Sequence, residues 1–322
     1  MQSLLRSRYP STCEPAEDPA IANIVDTARY PIHELDGTQA AATIAKARAA
    51  WETYGEVSLP GFIRADVRAL LADEVSGLPA HNRRYTAPYL ARKSLGSNAS
   101  LDPEHPLRRL FQSDIHAVAG DQIPNATLLR RVYDSPAVAA FFARVIRRGR
   151  LYHYADGLQQ LNVMYLLDRG GRSWHYDGSD FVATLMVQQA DEGGDFDFAP
   201  FIRTRCGGGG GDAENFARVR ELFDGAYAGR RTTRAEAGTV QLFNGCRSLH
   251  RVRTAFGPTA RITAVLSYDS NPPCAQQLPS LEANVRNYGE RVRDSAVWLR
   301  AQEERRRLCA GVESPPPFET EG

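Results

Sequence analysis

The chain has 322 residues, of which 43% are hydrophobic and 24% are charged, and its formal net charge is +1. This length allows one large domain with a sizeable core, and the charge offers no electrostatic attraction for nucleic acid or for an anionic membrane. The five cysteines are odd in number and lack Cys-x-x-Cys spacing, which argues against a disulfide framework and a thiolate zinc site. No apolar signal core and no run of about 20 apolar residues is present, so the expected location is the cytoplasm.

Helical patterns dominate the first half of the chain. Residues 1–35 are mixed in character and show no clear period, so they are predicted to form an N-terminal arm. Further along, apolar residues recur at helical spacing, and glycine and proline mark the ends of the elements. The predicted elements are helices at residues 38–54, 66–78 and 135–146, strands at 56–62 and 113–124, and a long loop at 81–100.

Strand patterns dominate the second half, where short apolar or alternating segments are separated by Gly-containing turns. The run CGGGGG at residues 206–211 is interpreted as a surface insertion, because a phosphate-binding loop needs a following Lys and helix. The charged segment 281–308 is predicted to be one long helix, and residues 309–322 a flexible tail. The predicted strands lie at residues 160–167, 181–188, 195–198, 238–243 and 261–268.

The motif SWHYDG places His175 and Asp177 two positions apart, just before a predicted strand. Residues at positions i and i+2 of an extended backbone point to the same side, so both side chains can reach one metal ion. A second imidazole, that of His250 in FNGCRSLHRV, would complete a set of two histidines and one carboxylate. Such a facial triad leaves three positions open on Fe(II). Arg261 follows His250 within a further predicted strand.

This ordered set resembles the Fe(II)/2-oxoglutarate-dependent oxygenases, in which a His-x-Asp motif precedes a distal His and then an Arg. The segments AGDQIPNATLLRRVYDSPAVAAFF, LYHYADGLQQLNVMY, SWHYDGSDFVATLMVQ and LFNGCRSLHRV resemble a bacterial branch of that family. The branch acts on free amino acids and related small metabolites, and it contains both hydroxylases and radical halogenases. The resemblance covers residues 55–295.

The resemblance implies a double-stranded β-helix (jelly-roll, cupin-like) core with flanking helices, whereas the pattern alone would give only the α+β class. We therefore expect one oxygenase domain at residues 36–308. Its expected parts are a helical N-terminal part at 36–150, a jelly-roll core at 151–275 and a C-terminal helix at 281–308.

The resemblance also implies roles for individual residues. His175, Asp177 and His250 would hold the metal and form the catalytic centre. Arg261 would bind the distal carboxylate of 2-oxoglutarate through its forked guanidinium, and Thr263 could add a hydroxyl. For Asn162 and Tyr165, a cosubstrate contact and a core position are both open. Apart from the resemblance, possible substrate contacts are Arg83 and Arg84 in the polar segment 81–100, and Trp174, Phe243 and Arg251, which flank the candidate ligands in the sequence.

The expected activity is hydroxylation of an unactivated C–H bond in a small molecule, such as a free amino acid or its derivative, in bacterial secondary metabolism. Fe(II), 2-oxoglutarate and O₂ would be required, and no nucleic-acid or membrane partner is expected. Two alternatives stay open at this point. One is an oxygenase acting on a protein or nucleotide substrate, and the other is a non-catalytic, cupin-like metal-binding protein.

Overall fold

The computed structural model describes residues 20–89, 101–206 and 211–312 of the chain. Parts of three predicted segments lie outside the described residues. These parts are the second part of the predicted loop (residues 90–100), most of the glycine-rich insertion (207–210) and most of the predicted tail (313–322).

Two antiparallel sheets carry the fold. The larger sheet has the strand order β1-β11-β7-β14-β5-β3-β2, and the smaller one has the order β10-β9-β12-β6. The strands of the larger sheet are β1 (Glu56–Leu59), β2 (His81–Pro88), β3 (Leu110–Val118), β5 (Leu161–Leu166), β7 (Val182–Gln188), β11 (Val240–Phe243) and β14 (Arg261–Leu266). Those of the smaller sheet are β6 (Arg172–His175), β9 (Phe196–Ala199), β10 (Arg231–Thr233) and β12 (Leu249–Val252). Two ribbons pair β4 (Tyr152–His153) with β15 (Tyr268–Asp269), and β8 (Glu192–Gly193) with β13 (Ala255–Phe256).

From β5 to β14 the chain passes repeatedly between these sheets. Strands β5, β7, β11 and β14 belong to the larger sheet, while β6, β9, β10 and β12 belong to the smaller one. Four strands in each of two sheets, with the chain crossing between them, form the jelly-roll arrangement. The predicted double-stranded β-helix core is confirmed.

Helices from residues 38–145 cover the outer face of the larger sheet, and the helix at residues 216–223 packs against the smaller sheet. The main hydrophobic core lies between the helices of residues 38–145 and the larger sheet. It includes Phe141 and Phe142 together with Ile262, Ala264 and Leu266 of β14. Alternate residues of β14 therefore face the interior of the jelly roll. The helices are α1 (Thr38–Tyr54), α2 (Arg68–Ser76), α3 (Leu128–Asp134), α4 (Pro136–Val145), α5 (Gly211–Glu214), α6 (Phe216–Phe223), α7 (Leu281–Tyr288) and α8 (Ala296–Leu308).

The structure differs from the predicted elements at three places. The prediction of a loop at residues 81–100 is wrong for its first part, because residues 81–88 form β2 and pair with β3 at eight consecutive positions. The predicted long C-terminal helix is broken at Gly289, whose φ is 83°, into α7, a 3₁₀ turn (Glu290–Asp294) and α8. Part of the predicted arm packs into the main core, where Ile21 and Ile32 are fully buried.

The prediction that the cysteines form no disulfide framework is wrong. Cys206 is bonded to Cys246 and Cys274 to Cys309, with Cα–Cα distances of 5.1 and 5.4 Å. The prediction failed because each pair joins segments that meet only in the folded chain, 40 and 35 positions apart. Among the described residues, no helix has the length and apolar character that crossing a membrane requires.

Candidate active site

His175 and His250 lie opposite each other in the paired strands β6 and β12, with ring centroids 4.1 Å apart. Asp177 follows two residues after the end of β6. One of its carboxylate oxygens lies 3.7 Å from Nε2 of His175, and the other lies 3.4 Å from Nε2 of His250. The three possible ligand atoms all lie within 4.8 Å of one another. The structure thus brings together the three residues that the sequence motif predicted as a metal site.

Hydrogen bonds orient both imidazoles. Nδ1 of His175 donates to the carbonyl oxygen of Ser173 at 2.8 Å, and Nδ1 of His250 donates to that of Ser248 at 2.9 Å. A carbonyl can only accept, so each Nδ1 carries the proton and each Nε2 offers its lone pair to the site. Burial, followed by the positive charge of Arg172, holds the pKa of His175 well below its ordinary value. His175 is therefore neutral, as a metal ligand must be.

Asp177 is held by the turn that precedes β12. Its backbone N–H donates to the carbonyl oxygen of Gly245 at 3.1 Å. A Cβ atom at position 245 would lie 1.8 Å from Oδ2 of Asp177, so only glycine leaves room for this carboxylate. Burial alone raises the pKa of Asp177, but His250 and then His175 outweigh it and hold the pKa well below the usual range. The carboxylate is ionised and can serve as an anionic ligand.

A β-bulge places Arg172 beside the two histidines. The register of β6 against β12 shifts between the pairs His175–His250 and Arg172–Val252, so Arg172 and His175 point to the same side although they are three positions apart. Nε of Arg172 donates to Nε2 of His175 at 2.6 Å. A metal ion bound at Nε2 of His175 would replace this hydrogen bond.

Aromatic side chains close one side of the site. Phe243 meets His250 edge-on at a centroid distance of 4.7 Å, and Phe196 lies 5.6 Å from the same ring. Phe243 is therefore at the site, as expected, but its contact is with a predicted ligand. It restricts the position of His250 and shields it from water.

Arg261 and Thr263 lie on the interior face of β14. Both are buried, and Nη1 of Arg261 donates to Oγ1 of Thr263 at 2.6 Å. No ion pair joins Arg261 to a carboxylate in the described parts of the chain. Its guanidinium lines a small cavity of about 10 Å³, separate from the one that Asp177 lines. Phe196 also lines the small cavity and touches His250, so it lies between Arg261 and the histidines.

A larger cavity of about 360 Å³ opens beside Asp177. Its wall includes Asn162, which is buried and whose Oδ1 has no hydrogen-bond partner in the structure. A buried acceptor without a donor is costly, and its position in the wall marks a place where a bound molecule can donate. Further residues of the wall are Arg83, Arg172, Tyr154, Ser179, Phe181 and Asn287.

The structure places four of the predicted site residues elsewhere. Tyr165 points to the opposite face of β5, where its hydroxyl donates to the carbonyl oxygen of Val75 in the main core. Arg84 lies on the exposed face of β2 and pairs with Asp114. Trp174 and Arg251 lie on the outer face of the smaller sheet and stack on each other at 4.7 Å, with Arg251 also bound to Asp197. None of the four reaches the cavity, because strand alternation turns each of them away from the interior.

Sequence reasoning missed Arg172, Phe196 and Gly245 as parts of the site. The alternating run Asp195–Phe198 and the Asn244–Gly245 pair were visible signals of a strand and a turn. The signal for Arg172 was absent, because a bulge is defined only by the register of two paired strands.

Comparison with known proteins gave matches among solved structures alone. No family model matches the chain, and no curated protein matches it. Among the similar structures is SnoN, a non-heme α-ketoglutarate-dependent epimerase from nogalamycin biosynthesis. It is 17% identical, with a TM-score of 0.49 over 71% of this chain and 81% of SnoN.

Two further similar structures are of proteins from Streptomyces hygroscopicus and Burkholderia pseudomallei. HygX from Streptomyces hygroscopicus, solved with nickel, 2-oxoglutarate and hygromycin B, is 13% identical, with a TM-score of 0.48 over 76% of this chain and 94% of HygX. An oxidoreductase of the 2OG-Fe(II) oxygenase family from Burkholderia pseudomallei is 17% identical, with a TM-score of 0.45 over 71% of this chain and 91% of that one. All three similar structures are thus of proteins that depend on or bind 2-oxoglutarate, or that belong to the 2OG-Fe(II) oxygenase family.

Proposed function

We propose that this protein is an Fe(II)- and 2-oxoglutarate-dependent dioxygenase that hydroxylates an unactivated C–H bond of a small metabolite. The observation that carries the proposal is the cluster of His175, Asp177 and His250, whose ligand atoms lie within 4.8 Å of one another beside a cavity. Two neutral imidazoles and one carboxylate suit Fe(II) and leave positions open for a bidentate 2-oxo acid and for O₂. Bound iron and 2-oxoglutarate supply the oxidising chemistry, and the protein supplies position and shielding.

The distal carboxylate of 2-oxoglutarate is assigned to Arg261. This guanidinium is buried, faces the interior and has a hydroxyl neighbour in Thr263. A buried cation is costly without a counter-charge, so an anionic cosubstrate suits it. Asn162, with its unpartnered Oδ1 in the larger cavity, is a further contact for the cosubstrate or the substrate.

The size of the cavity favours a small substrate. A volume of about 360 Å³ lies in the range of small-molecule sites, and a free amino acid or its derivative fits within it. Arg261 argues against the alternative of a non-catalytic, cupin-like metal protein, because a purely structural metal site has no need of a buried cation nearby. An oxygenase acting on a protein or nucleotide substrate is the other alternative that the assay must address.

The test is substrate-stimulated release of succinate by the purified full chain. Free amino acids, nucleosides and dipeptides are supplied one at a time with Fe(II), 2-oxoglutarate and O₂, and products are examined by mass spectrometry. We expect succinate to depend on both Fe(II) and 2-oxoglutarate, and the product to gain one oxygen atom. His250→Ala is the matched inactive control. Succinate release that is independent of Fe(II), or stimulation only by polypeptides or nucleosides, would contradict the proposal.

A further inference from the structure

Three arginines, Arg83, Arg172 and Arg203, line the same cavity as Asp177. Arg203 is paired with Glu214 at 2.9 Å, which leaves Arg83 and Arg172 as the cations available to a bound molecule. They come from different parts of the fold, since Arg83 lies in β2 of the larger sheet and Arg172 in β6 of the smaller one. The cavity thus has a cationic wall besides its metal-ligand end. The proposed binding of the metal ion and of 2-oxoglutarate does not involve Arg83.

Arg83 is held in place by neutral groups. Its Nη1 donates to Oδ1 of Asn287 in α7 at 2.5 Å, and its guanidinium stacks over the ring of Tyr85 at 4.3 Å. Alternation along β2 turns Arg83 inward while Arg84 is exposed. A guanidinium has five N–H donors, so the bond to Asn287 leaves most of them available to a molecule in the cavity.

Arg83 and Arg172 form no ion pair with any carboxylate in residues 20–89, 101–206 and 211–312. Burial, and then the positive charges of Arg172 and Arg286, lower the pKa of Arg83, although the nearby Tyr85 opposes this effect. The carboxylate of Asp177 lines the same cavity and interacts with Arg172, but it is assigned to the metal ion. An anion bound between Arg83 and Arg172 reduces the repulsion between these two cations.

We infer that this cavity recognises its substrate through a carboxylate group, which binds the guanidinium of Arg83, with Arg172 as the second cation. The inference rests on the proposed function, because it assigns the group by which that site holds the molecule to be hydroxylated. The substrate class is accordingly an organic acid of about amino-acid size. A forked guanidinium suits a carboxylate because two parallel N–H···O bonds can form.

A carboxylate in this protein has two possible sources, the substrate and 2-oxoglutarate. The two guanidinium groups can be tested separately, because Arg261 lines a different cavity from Arg83. We therefore assign the substrate to Arg83 and 2-oxoglutarate to Arg261. Binding of the two acids must then respond to different substitutions.

The experiment measures binding without turnover. The full chain is kept anaerobic with Fe(II) and saturating 2-oxoglutarate, and calorimetry records the binding of each free L-amino acid and of its carboxamide. At least one acid is expected to bind, with its carboxamide at least about tenfold weaker, which corresponds to the loss of one charge-assisted contact. This comparison needs no variant, so it holds even if a substitution of Arg83 impairs folding.

Variants then locate the contact. Arg83→Gln should weaken binding of that acid by about tenfold or more, and Arg83→Lys should restore part of it. Arg84→Gln, on the exposed face of the same strand, is the matched control and should bind the acid as the unmodified protein does. The dissociation constant of 2-oxoglutarate, titrated separately, should stay unchanged in Arg83→Gln.

Three outcomes would overturn the inference. These are binding of no acid in the panel, equal binding of an acid and its carboxamide, and a loss in Arg83→Gln of 2-oxoglutarate binding alone. Failure of the proposed function gives a different result, since 2-oxoglutarate would then not bind the Fe(II)-loaded unmodified protein at all.

Discussion

His175 and His250 occupy directly opposed positions of two paired strands, and each Nδ1 donates to the carbonyl oxygen of the residue two positions before it. Backbone pairing therefore sets the distance between the rings, and the local hydrogen bonds set the direction of each Nε2. The site is preorganised because both constraints come from rigid sheet structure.

Removing one of these imidazoles should abolish metal binding. For His250→Ala we expect Fe(II) affinity to fall by more than about 100-fold, because loss of outer-sphere partners alone costs 10- to 100-fold. Titration with Fe(II) under anaerobic conditions measures the effect. His116→Ala, which removes a half-buried histidine hydrogen-bonded to Asn82, should bind iron normally. Unchanged affinity in His250→Ala would disprove the ligand assignment.

Adding one methyl group at position 245 should displace the carboxylate ligand. In Gly245→Ala the new Cβ would meet Oδ2 of Asp177 at 1.8 Å, so Asp177 must leave its position. We expect Fe(II) affinity to fall by about tenfold or more while the fold persists, as monitored by circular dichroism. The control is Gly77→Ala, where an added Cβ meets no atom within 4 Å. Normal iron binding in Gly245→Ala would show that Asp177 is not a ligand.

Arg261→Ala should raise the KM for 2-oxoglutarate by about 10- to 100-fold, since a charge-assisted contact contributes about 1.5–3 kcal/mol. Iron binding should be largely retained. Arg253→Ala is a suitable control because Arg253 binds Asp197 at 2.8 Å on the outer face of the smaller sheet. Initial rates at varied 2-oxoglutarate give the answer, and an unchanged KM in Arg261→Ala would exclude it as the anchor.

Binding of 2-oxoglutarate should weaken at high pH. Burial lowers the pKa of Arg261 to about 10, although Asp195 opposes the shift. The guanidinium is charged below this pKa, so affinity should be constant near neutral pH and decline as the pH rises through about 10. In Arg261→Lys the decline should begin at lower pH, because burial lowers the pKa of a lysine as well. Anaerobic titrations across this range test the prediction, and an identical pH profile for the two proteins would contradict it.

The unmodified protein should hydroxylate and not chlorinate. In radical halogenases of the family that the sequence motifs resemble, a small residue replaces the carboxylate and leaves room for chloride. Here Asp177 is present and lies 3.4 Å from His250, so a protein-bound anion fills that position. Turnover with excess chloride should give only oxygenated product by mass spectrometry, whereas a chlorine isotope pattern would contradict the prediction. Asp177→Gly should lose hydroxylation.

The sequence by itself predicted that His175 and Asp177 can share a metal ion, and it predicted the α+β class. His175 and Asp177 are two positions apart on an extended segment, so their common direction follows from the geometry of a strand. The helix at residues 38–54 was predicted with its observed bounds, because its alanine-rich pattern and the following Gly55 are local signals. The resemblance to a known family added the jelly-roll core and the roles of His250 and Arg261.

The tertiary structure alone decided which other side chains reach the cavity. Residues 81–88 looked like a polar loop, but they form β2 because β3, many positions further along, supplies the hydrogen bonds. That pairing turns Arg83 inward and Arg84 outward. Likewise the bulge in β6 brings Arg172 to His175, and the cysteine pairs meet only after folding. Register and pairing depend on contacts between distant segments, and no local pattern of residues encodes them.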